Sequence, residues 1–273
     1  MAEENKLIQG SIAEMLGVPL FVTDLYIPGY RTGEIGNWKI VNSKNVLAPG
    51  YFKGLQMVEN LSALLRKRRD GSDGWDTWMS ISPSELESQE LGCRYAFGHT
   101  VIMGLGMGWI AINAALRPSV SRVTVVELDP EVIDLFSLSG AADTIPEAAR
   151  NKITIVKANA LEWTSNGKVD FLYADIWLSL DEPETLEQVR RMNENLKPDA
   201  VYFWGQEIAI YAGIEKRQGK NASIDTASVK RCIAEDIGLP LLVPSDINYD
   251  GLIKGVAKNR LERNLSMGRM LKR

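Results

Sequence analysis

Gly104, Gly106 and Gly108 alternate directly after the apolar run His99-Thr100-Val101-Ile102-Met103, and Glu127 ends the next apolar run, Val123-Thr124-Val125-Val126. The first run is short and β-rich. Trp109 to Leu116 is apolar enough for a buried helix, which Arg117-Pro118 stops. The stretch therefore predicts strand, glycine turn, helix, strand and acid. In many doubly wound folds such a βαβ unit binds an adenosine-containing cofactor. Glycines let backbone approach a ligand closely because they carry no Cβ. A glutamate offers two charged acceptor oxygens to the two hydroxyls of a ribose. Asp129, followed by Pro130, is read as the cap of the next helix and not as a ligand contact.

The spacing bears on which cofactor this is. A dinucleotide fingerprint reads G-x-G-x-x-G, its third glycine permitting close helix packing and approach to a pyrophosphate. Here the pattern is G-x-G-x-G, and Trp109 stands where the third glycine belongs. An indole there fits poorly against a pyrophosphate. S-adenosylmethionine has no phosphate, and it needs what is present: close backbone and a carboxylate for its ribose diol.

These residues sit in a chain of 273 residues with 45% hydrophobic and 24% charged residues and a formal net charge of −4. That length suits one large domain, or a domain with an extension, and needs no disulfide staples. The charge provides no general basic field for nucleic acid. Cys93 and Cys232 are far apart with no metal spacing, which suits a reduced, cytoplasmic setting. With His99 the one histidine, a His-rich metal site is excluded, and His99 itself is read as structural. No apolar run is long enough to span a membrane, and the first ten residues lack the pattern of a signal peptide.

The elements that must position the candidate residues follow in order. Before the glycine turn, strands are expected at Pro19–Ile27, 37–41 and 75–80, with a helix over Leu55–Arg69 that ends in the solvated basic run Arg66-Lys67-Arg68-Arg69. Ser82-Pro83-Ser84-Glu85 predicts a helix start with a capping-box glutamate, the helix reaching about Tyr95. Trp78 and Met79 are either core or a cover over the cofactor pocket. After Glu127, strands are expected at 152–157, 168–174 and 201–204, alternating with helices at 131–138, 141–149 and from an Asp181 cap onward. This alternation predicts an α/β fold with a doubly wound, mainly parallel sheet and helices on both faces. Residues 207–218 and 227–237 are expected helices, and 239–243 a strand. The tail 257–273 is read as a solvated helix or a subunit contact, the second pointing to a homodimer. Residues 1–97 are expected to form a small β-rich N-terminal domain, and 98–273 the cofactor-binding domain with a C-terminal helical extension.

The run Val101 to Gly108, Val125-Val126-Glu127-Leu128-Asp129-Pro130, Ala158-Asn159-Ala160, Asp170 to Asp175 and Leu196-Lys197-Pro198 occur in the order found in class I S-adenosylmethionine-dependent methyltransferases. The chain resembles that class, and within it the spermidine synthase-like branch, over roughly residues 75–205. The resemblance implies a Rossmann-like methyltransferase fold with a small β-rich domain before it. It implies that Gly104, Gly106 and Gly108 pass under the cofactor and that Glu127 holds its ribose. It also implies that Asn159 and Ala160 lie at the adenine. Asp175 then ends the fourth strand of the fold at the reaction centre, as the catalytic candidate and a cofactor contact. A carboxylate there can stabilise a cationic cofactor or orient a nucleophile.

The departures narrow the chemistry. Met107 replaces the acid that spermidine synthases carry in the glycine turn, and Asp175-Ile176-Trp177-Leu178 lacks their second acid. The pocket is therefore expected to be short of carboxylates for a polyamine. There is no N-P-P-Y-like segment and no Pro-Cys nucleophile. The leading expectation is methyl transfer to a small-molecule acceptor. Aminopropyl transfer and a non-catalytic binding or assembly protein remain alternatives, and a nicotinamide-binding domain is the weakest. Trp163, Trp177 and Trp204 are read as core unless an acceptor pocket claims them.

Overall fold

A computed structural model describes residues 13–180, 182–219 and 222–270, with side chains up to residue 260. Expectations for the first ten residues, the Asp181 cap and the end of the tail lie outside the described residues. The N-terminal part is a four-stranded antiparallel sheet in the order β1 (Gly33–Ile35), β2 (Trp38–Pro49), β3 (Leu55–Lys67) and β4 (Trp75–Ser80). The helix expected over Leu55–Arg69 is instead β3. Met57, Val58, Leu61, Leu64 and Leu65 recur at spacings that a helix also satisfies. What decides is that β3 pairs on both sides, with β2 and β4, and so satisfies its backbone in the sheet. Likewise, Pro19–Ile27 forms no strand; Leu20 makes one isolated bridge to Met57, and the rest follows an irregular path.

Helix α1 (Pro83–Arg94) follows, and its Ser82 N-cap makes no side-chain capping bond. From Gly98 the chain alternates strand and helix: β5 (Gly98–Met103), α2 (Trp109–Leu116), β6 (Val120–Glu127), α3 (Pro130–Ser139), a 3₁₀ turn (Ala141–Thr144), α4 (Glu147–Arg150), β7 (Ile153–Lys157), β8 (Phe171–Ala174), α5 (Thr185–Leu196) and β9 (Ala200–Phe203). The five strands form one sheet in the order β7-β6-β5-β8-β9, parallel throughout. The fold is thus α/β with a doubly wound parallel sheet and an antiparallel sheet before it. The order reverses between β6 and β8, either side of β5, and open sheets of this kind place ligands outside the strand ends at such a switch point. Helices α6 (Gln206–Gln218) and α7 (Thr226–Cys232), a π turn (Ile233–Ile237) and α8 (Tyr249–Met270) complete the described chain. The strand expected at 239–243 reduces to one bridge, Leu241 to Val201.

The two sheets share one apolar core. Trp38, Ile40 and Leu64 of the antiparallel sheet belong to the same buried cluster as Val101, Ile102, Val125 and Tyr173 of the parallel one. Helix α1 stitches the seam: buried Glu87 accepts from the backbone N–H groups of Tyr51 at 2.8 Å and Phe52 at 3.2 Å, and from the Gln56 side chain at 3.1 Å. A second seam lies under α6, where the Glu207 carboxylate, 1% exposed, accepts from Tyr51 Oη at 3.2 Å, Tyr202 Oη at 3.1 Å and Tyr249 Oη at 3.1 Å. These tyrosines come from the β2–β3 loop, β9 and the start of α8, so one carboxylate ties three parts of the chain. No described helix is long and apolar enough to cross a membrane.

Candidate active site

A cavity of about 650 Å³ opens at the C-terminal ends of β5, β6 and β8 and is roofed by the antiparallel sheet. That volume is within the usual range for small-molecule and cofactor sites, roughly 300–1,000 Å³. Gly104, Gly106, Glu127, Asn159, Ala160 and Asp175 all line it.

The glycine turn needs its glycines for specific reasons. Gly104 has φ +97°, and a Cβ there would lie 2.0 Å from the Asp175 carbonyl oxygen, so the turn and the end of β8 are in direct contact. Gly106 has φ +51°, and its Cβ would meet Met79 Sδ at 2.4 Å. Gly108 differs. It caps α2 in the left-handed region, and its Cβ would strike the Phe136 ring of α3 at 2.2 Å. Its place is helix packing, away from the cavity lining. Met107 is buried in the core, and its backbone N–H points at Met79 Sδ, 3.3 Å away. The Trp109 indole is 1% exposed and donates to the Tyr26 carbonyl at 2.8 Å.

Glu127 uses one oxygen to hold the turn, accepting from the Leu105 N–H at 2.9 Å, and the other to accept from the Asp129 N–H at 2.8 Å. Each carboxylate oxygen has a further lone pair, so the group can hold the turn and still receive two hydroxyls. Asp129 caps α3 as expected, accepting from the Glu131 N–H at 3.0 Å, and it also accepts from Trp38 Nε1 at 2.8 Å. Asn159 turns its Oδ1 onto the Leu161 N–H at 3.0 Å, closing a local turn.

Asp175 stands half-buried at the end of β8, and its neighbours include one that sequence reasoning did not place there. Gln89 Nε2 donates both to Asp175 Oδ2 at 3.1 Å and to Glu85 Oε1 at 2.9 Å. Glu85, read from sequence as part of a capping box, points into the cavity instead. The signal was available: Glu85 and Gln89 are one helical turn apart and so share a face of α1. Burial raises the Asp175 carboxyl to about 7. Burial and the nearby Asp175 charge push Glu85 well above the usual carboxylate range. Burial and mutual repulsion thus disfavour two negative charges on the pair at once. Two buried polar atoms at this place, Gln89 Oε1 and Tyr173 Oη, have no hydrogen-bond partner in the described protein. Glu182 and Glu184 also line the cavity, so the expected shortage of carboxylates does not hold. The long separation of α1 from β8 in sequence concealed Glu85, and Glu182 and Glu184 lie beyond the Asp175–Leu178 segment on which the expectation rests.

Of the three tryptophans, Trp177 and Trp204 line the cavity and Trp163 does not. Trp177 is fixed by donating to Gln188 Oε1 at 2.7 Å and Trp204 by donating to Ser88 Oγ at 2.8 Å. Trp78 and Met79 also line it, so β4 covers the pocket. His99 and Asp170 lie at the opposite, N-terminal ends of β5 and β8. There Asp170 accepts from the His99 N–H at 2.7 Å, and His99 Nε2 sits 2.9 Å from Thr124 Oγ1. Both are structural. Among the described residues no cluster of His, Cys, Asp and Glu could hold a metal ion.

No protein-family model matches the chain. A Mycoplasma pneumoniae protein named "Probable NADP-dependent isopropanol dehydrogenase" is 26% identical over 146 residues, which is 52% of this chain and 39% of that protein. Similar solved structures include the glycopeptide N-methyltransferase MtfA with S-adenosyl-L-homocysteine, at 20% identity and a TM-score of 0.33, covering 41% of this chain and 44% of that one. They also include the methyltransferase domain of bacterial CtHen1-C, at 16% identity and a TM-score of 0.34, covering 43% and 65%. The chain therefore spans less than two thirds of each of these proteins. Overlaps of this size do not fix an activity, and the residues of the cavity carry the functional reading.

Proposed function

We propose that this chain is an S-adenosylmethionine-dependent methyltransferase acting on a small-molecule acceptor. The observation that carries the reading is the pair of carboxylates, Glu127 and Asp175, at the ends of β6 and β8 on either side of the glycine turn. Glu127 suits the ribose of any adenosine cofactor. Asp175, whose backbone presses against Gly104 of the turn, is what disfavours a pyrophosphate there and favours a cationic, phosphate-free cofactor. The residues present fit that group: Gly104 and Gly106 keep the turn free of side chains, Glu127 has lone pairs for the ribose, and Asn159 and Ala160 lie on the same wall. When bound, the cofactor would supply an electrophilic methyl carbon. Trp177 and Trp204 would bind and orient the acceptor and exclude water, and much of the rate would come from that positioning. Asp175, when ionised, would take the proton that the acceptor nucleophile gives up. Glu85 and Gln89 would hold that carboxylate in place.

The test is formation of S-adenosylhomocysteine by purified protein across a panel of amine, hydroxyl and carboxylate acceptors, with Asp175→Asn beside it. Acceptor-dependent product that falls sharply in the variant supports the reading. Binding without product across the panel leaves a non-catalytic protein. Aminopropyl transfer is the second reading, because Glu85, Glu182 and Glu184 supply carboxylates that could hold a polyamine. Methylthioadenosine from the decarboxylated cofactor and a diamine would favour it.

A further inference from the structure

The basic run at the end of β3 divides between two environments. Lys67 donates to the Gly36 carbonyl at 2.9 Å, and Arg68 pairs with Asp76 at 3.2 Å, both on the outside. Arg66 and Arg69 turn the other way and line the cavity. Arg66 is half-buried, with its guanidinium carbon 5.0 Å from the centroid of the Trp38 ring and 5.5 Å from that of Trp78. Those rings pack edge to face, with centroids 5.3 Å apart. The guanidinium is therefore held over aromatic surfaces, and no described residue hydrogen-bonds or ion-pairs with it. Asp129, whose charge acts on Arg66, accepts instead from Trp38 Nε1 at Oδ2 and from the Glu131 N–H at Oδ1. Desolvation and then the neighbouring Arg69 charge lower the Arg66 pKa, while the Asp129 charge acts in the opposite direction. An arginine fixed in this way presents an unused fork of N–H donors to the cavity, a geometry matched to carboxylate or phosphate.

We propose that Arg66, supported by Arg69, is a specificity-determining site for an anionic group, carboxylate or phosphate, on the acceptor. This rests on the methyltransferase reading. The acceptor then meets a cavity of two polarities, with a cationic wall from the antiparallel sheet and the Glu85–Gln89–Asp175 cluster at the end of β8. The anion docks on the first, and the nucleophile faces the second.

The experiment is calorimetric titration of the full chain, saturated with S-adenosylhomocysteine, with matched fragments: benzoate against benzamide, and phenyl phosphate against phenol. At least one acid should bind about tenfold more tightly than its neutral partner, the effect of one charge-assisted contact in a partly dry site. The comparison of the two acids tells carboxylate from phosphate. The preference should fall below about threefold in Arg66→Gln, persist in part in Arg66→Lys, and be unchanged in Arg68→Gln. Equal binding of acids and neutral partners, or no binding of either acid by protein that does bind S-adenosylhomocysteine, overturns the proposal and leaves the methyltransferase reading standing. Adenosine 2′-phosphate that displaces S-adenosylhomocysteine in an Arg66-dependent way overturns it too, by placing the anion on the cofactor. Failure of S-adenosylhomocysteine to bind counts against the methyltransferase reading itself, and with it against an acceptor site.

Discussion

Glu85 of α1 and Asp175 at the end of β8 receive hydrogen bonds from the same nitrogen, Gln89 Nε2, at 2.9 and 3.1 Å. One acid comes from the helix that joins the two sheets and the other from the parallel sheet itself. Gln89 is 1% exposed, so the bridge is held out of bulk water. Their juxtaposition makes the relative placement of the two sheets a condition of the site's acid–base behaviour.

The pH dependence follows from Asp175. Its carboxyl, raised to about 7 by burial, must be ionised to take a proton. Turnover with a fixed acceptor is expected to rise as pH increases through about 7 and then level off. Asp175→Asn is expected to lose about 10²–10⁴-fold in kcat, the usual range for a positioned general base, and its residual rate should lack that limb. A wild-type profile flat from pH 5 to 9 would remove Asp175 from this role.

The same group makes a stability prediction of opposite sense. A carboxyl whose pKa is higher folded than unfolded binds more protons in the native state between about pH 4 and 7. Its contribution to stability is fully present below the unfolded pKa and is lost as pH rises through the folded one. Asp175→Asn should therefore melt a few degrees higher than wild type at pH 8, with little difference at pH 4. A lower melting temperature at pH 8 would contradict this. Glu85→Gln serves as a second variant, with the same sense expected.

The turn gives a graded pair. Gly104→Ala sets a Cβ 2.0 Å from a backbone carbonyl, which cannot step aside, at φ +97°. It should cost about 2 kcal/mol or more and reduce cofactor affinity, because the turn and the Asp175 strand end move together. In Gly106→Ala the Cβ meets the end of a methionine side chain, 2.4 Å from Met79 Sδ, so the loss in melting temperature should be smaller. Equal losses would mean that the turn is not pressed against β8.

Glu207 offers a structural control away from the cavity. Tyr51→Phe or Tyr249→Phe removes one of its three phenol donors, at a cost of about 1–3 kcal/mol from an under-satisfied buried carboxylate. Denaturant unfolding should report that loss while cofactor affinity stays within about twofold. A selective loss of affinity would instead couple this seam to the cavity.

The parallel sheet was legible in the sequence because its strands are apolar runs, and all but β7 are bounded by glycine, proline or an acid. Trp109–Leu116 emerges as the helix expected, and Asp129 caps α3 as read. The antiparallel sheet was less legible. Its β3 carries leucines whose spacing also fits a helix, and only pairing with distant β2 and β4 decides between the two. The site divides in the same way. Gly104, Gly106, Glu127 and Asp175 lie near strand ends that the sequence marks. Glu85, Gln89, Trp38 and Arg66 reach the cavity only through the packing of α1 and the antiparallel sheet over it, a contact without local sequence signature. Glu85 shows how a local rule can mislead: its position after Ser82 fits a capping box, yet its side chain goes to Gln89.

Glu127 combines turn-holding with the proposed ligand-holding. Glu127→Ala removes both the Leu105 and Asp129 anchors and the ribose acceptor, so S-adenosylmethionine affinity should fall about 10–100-fold. Glu127→Gln keeps one carbonyl acceptor and should fall between. Unchanged affinity in Glu127→Ala would remove this residue from the site.

The most direct measurement is calorimetric titration of folded, ligand-stripped protein with S-adenosylmethionine, with NAD and NADP as controls. Saturable binding, one site per chain, is expected for S-adenosylmethionine and none for the dinucleotides. Binding of a dinucleotide with no response to S-adenosylmethionine would contradict the methyltransferase reading, because the turn beside Asp175 would then be holding a pyrophosphate.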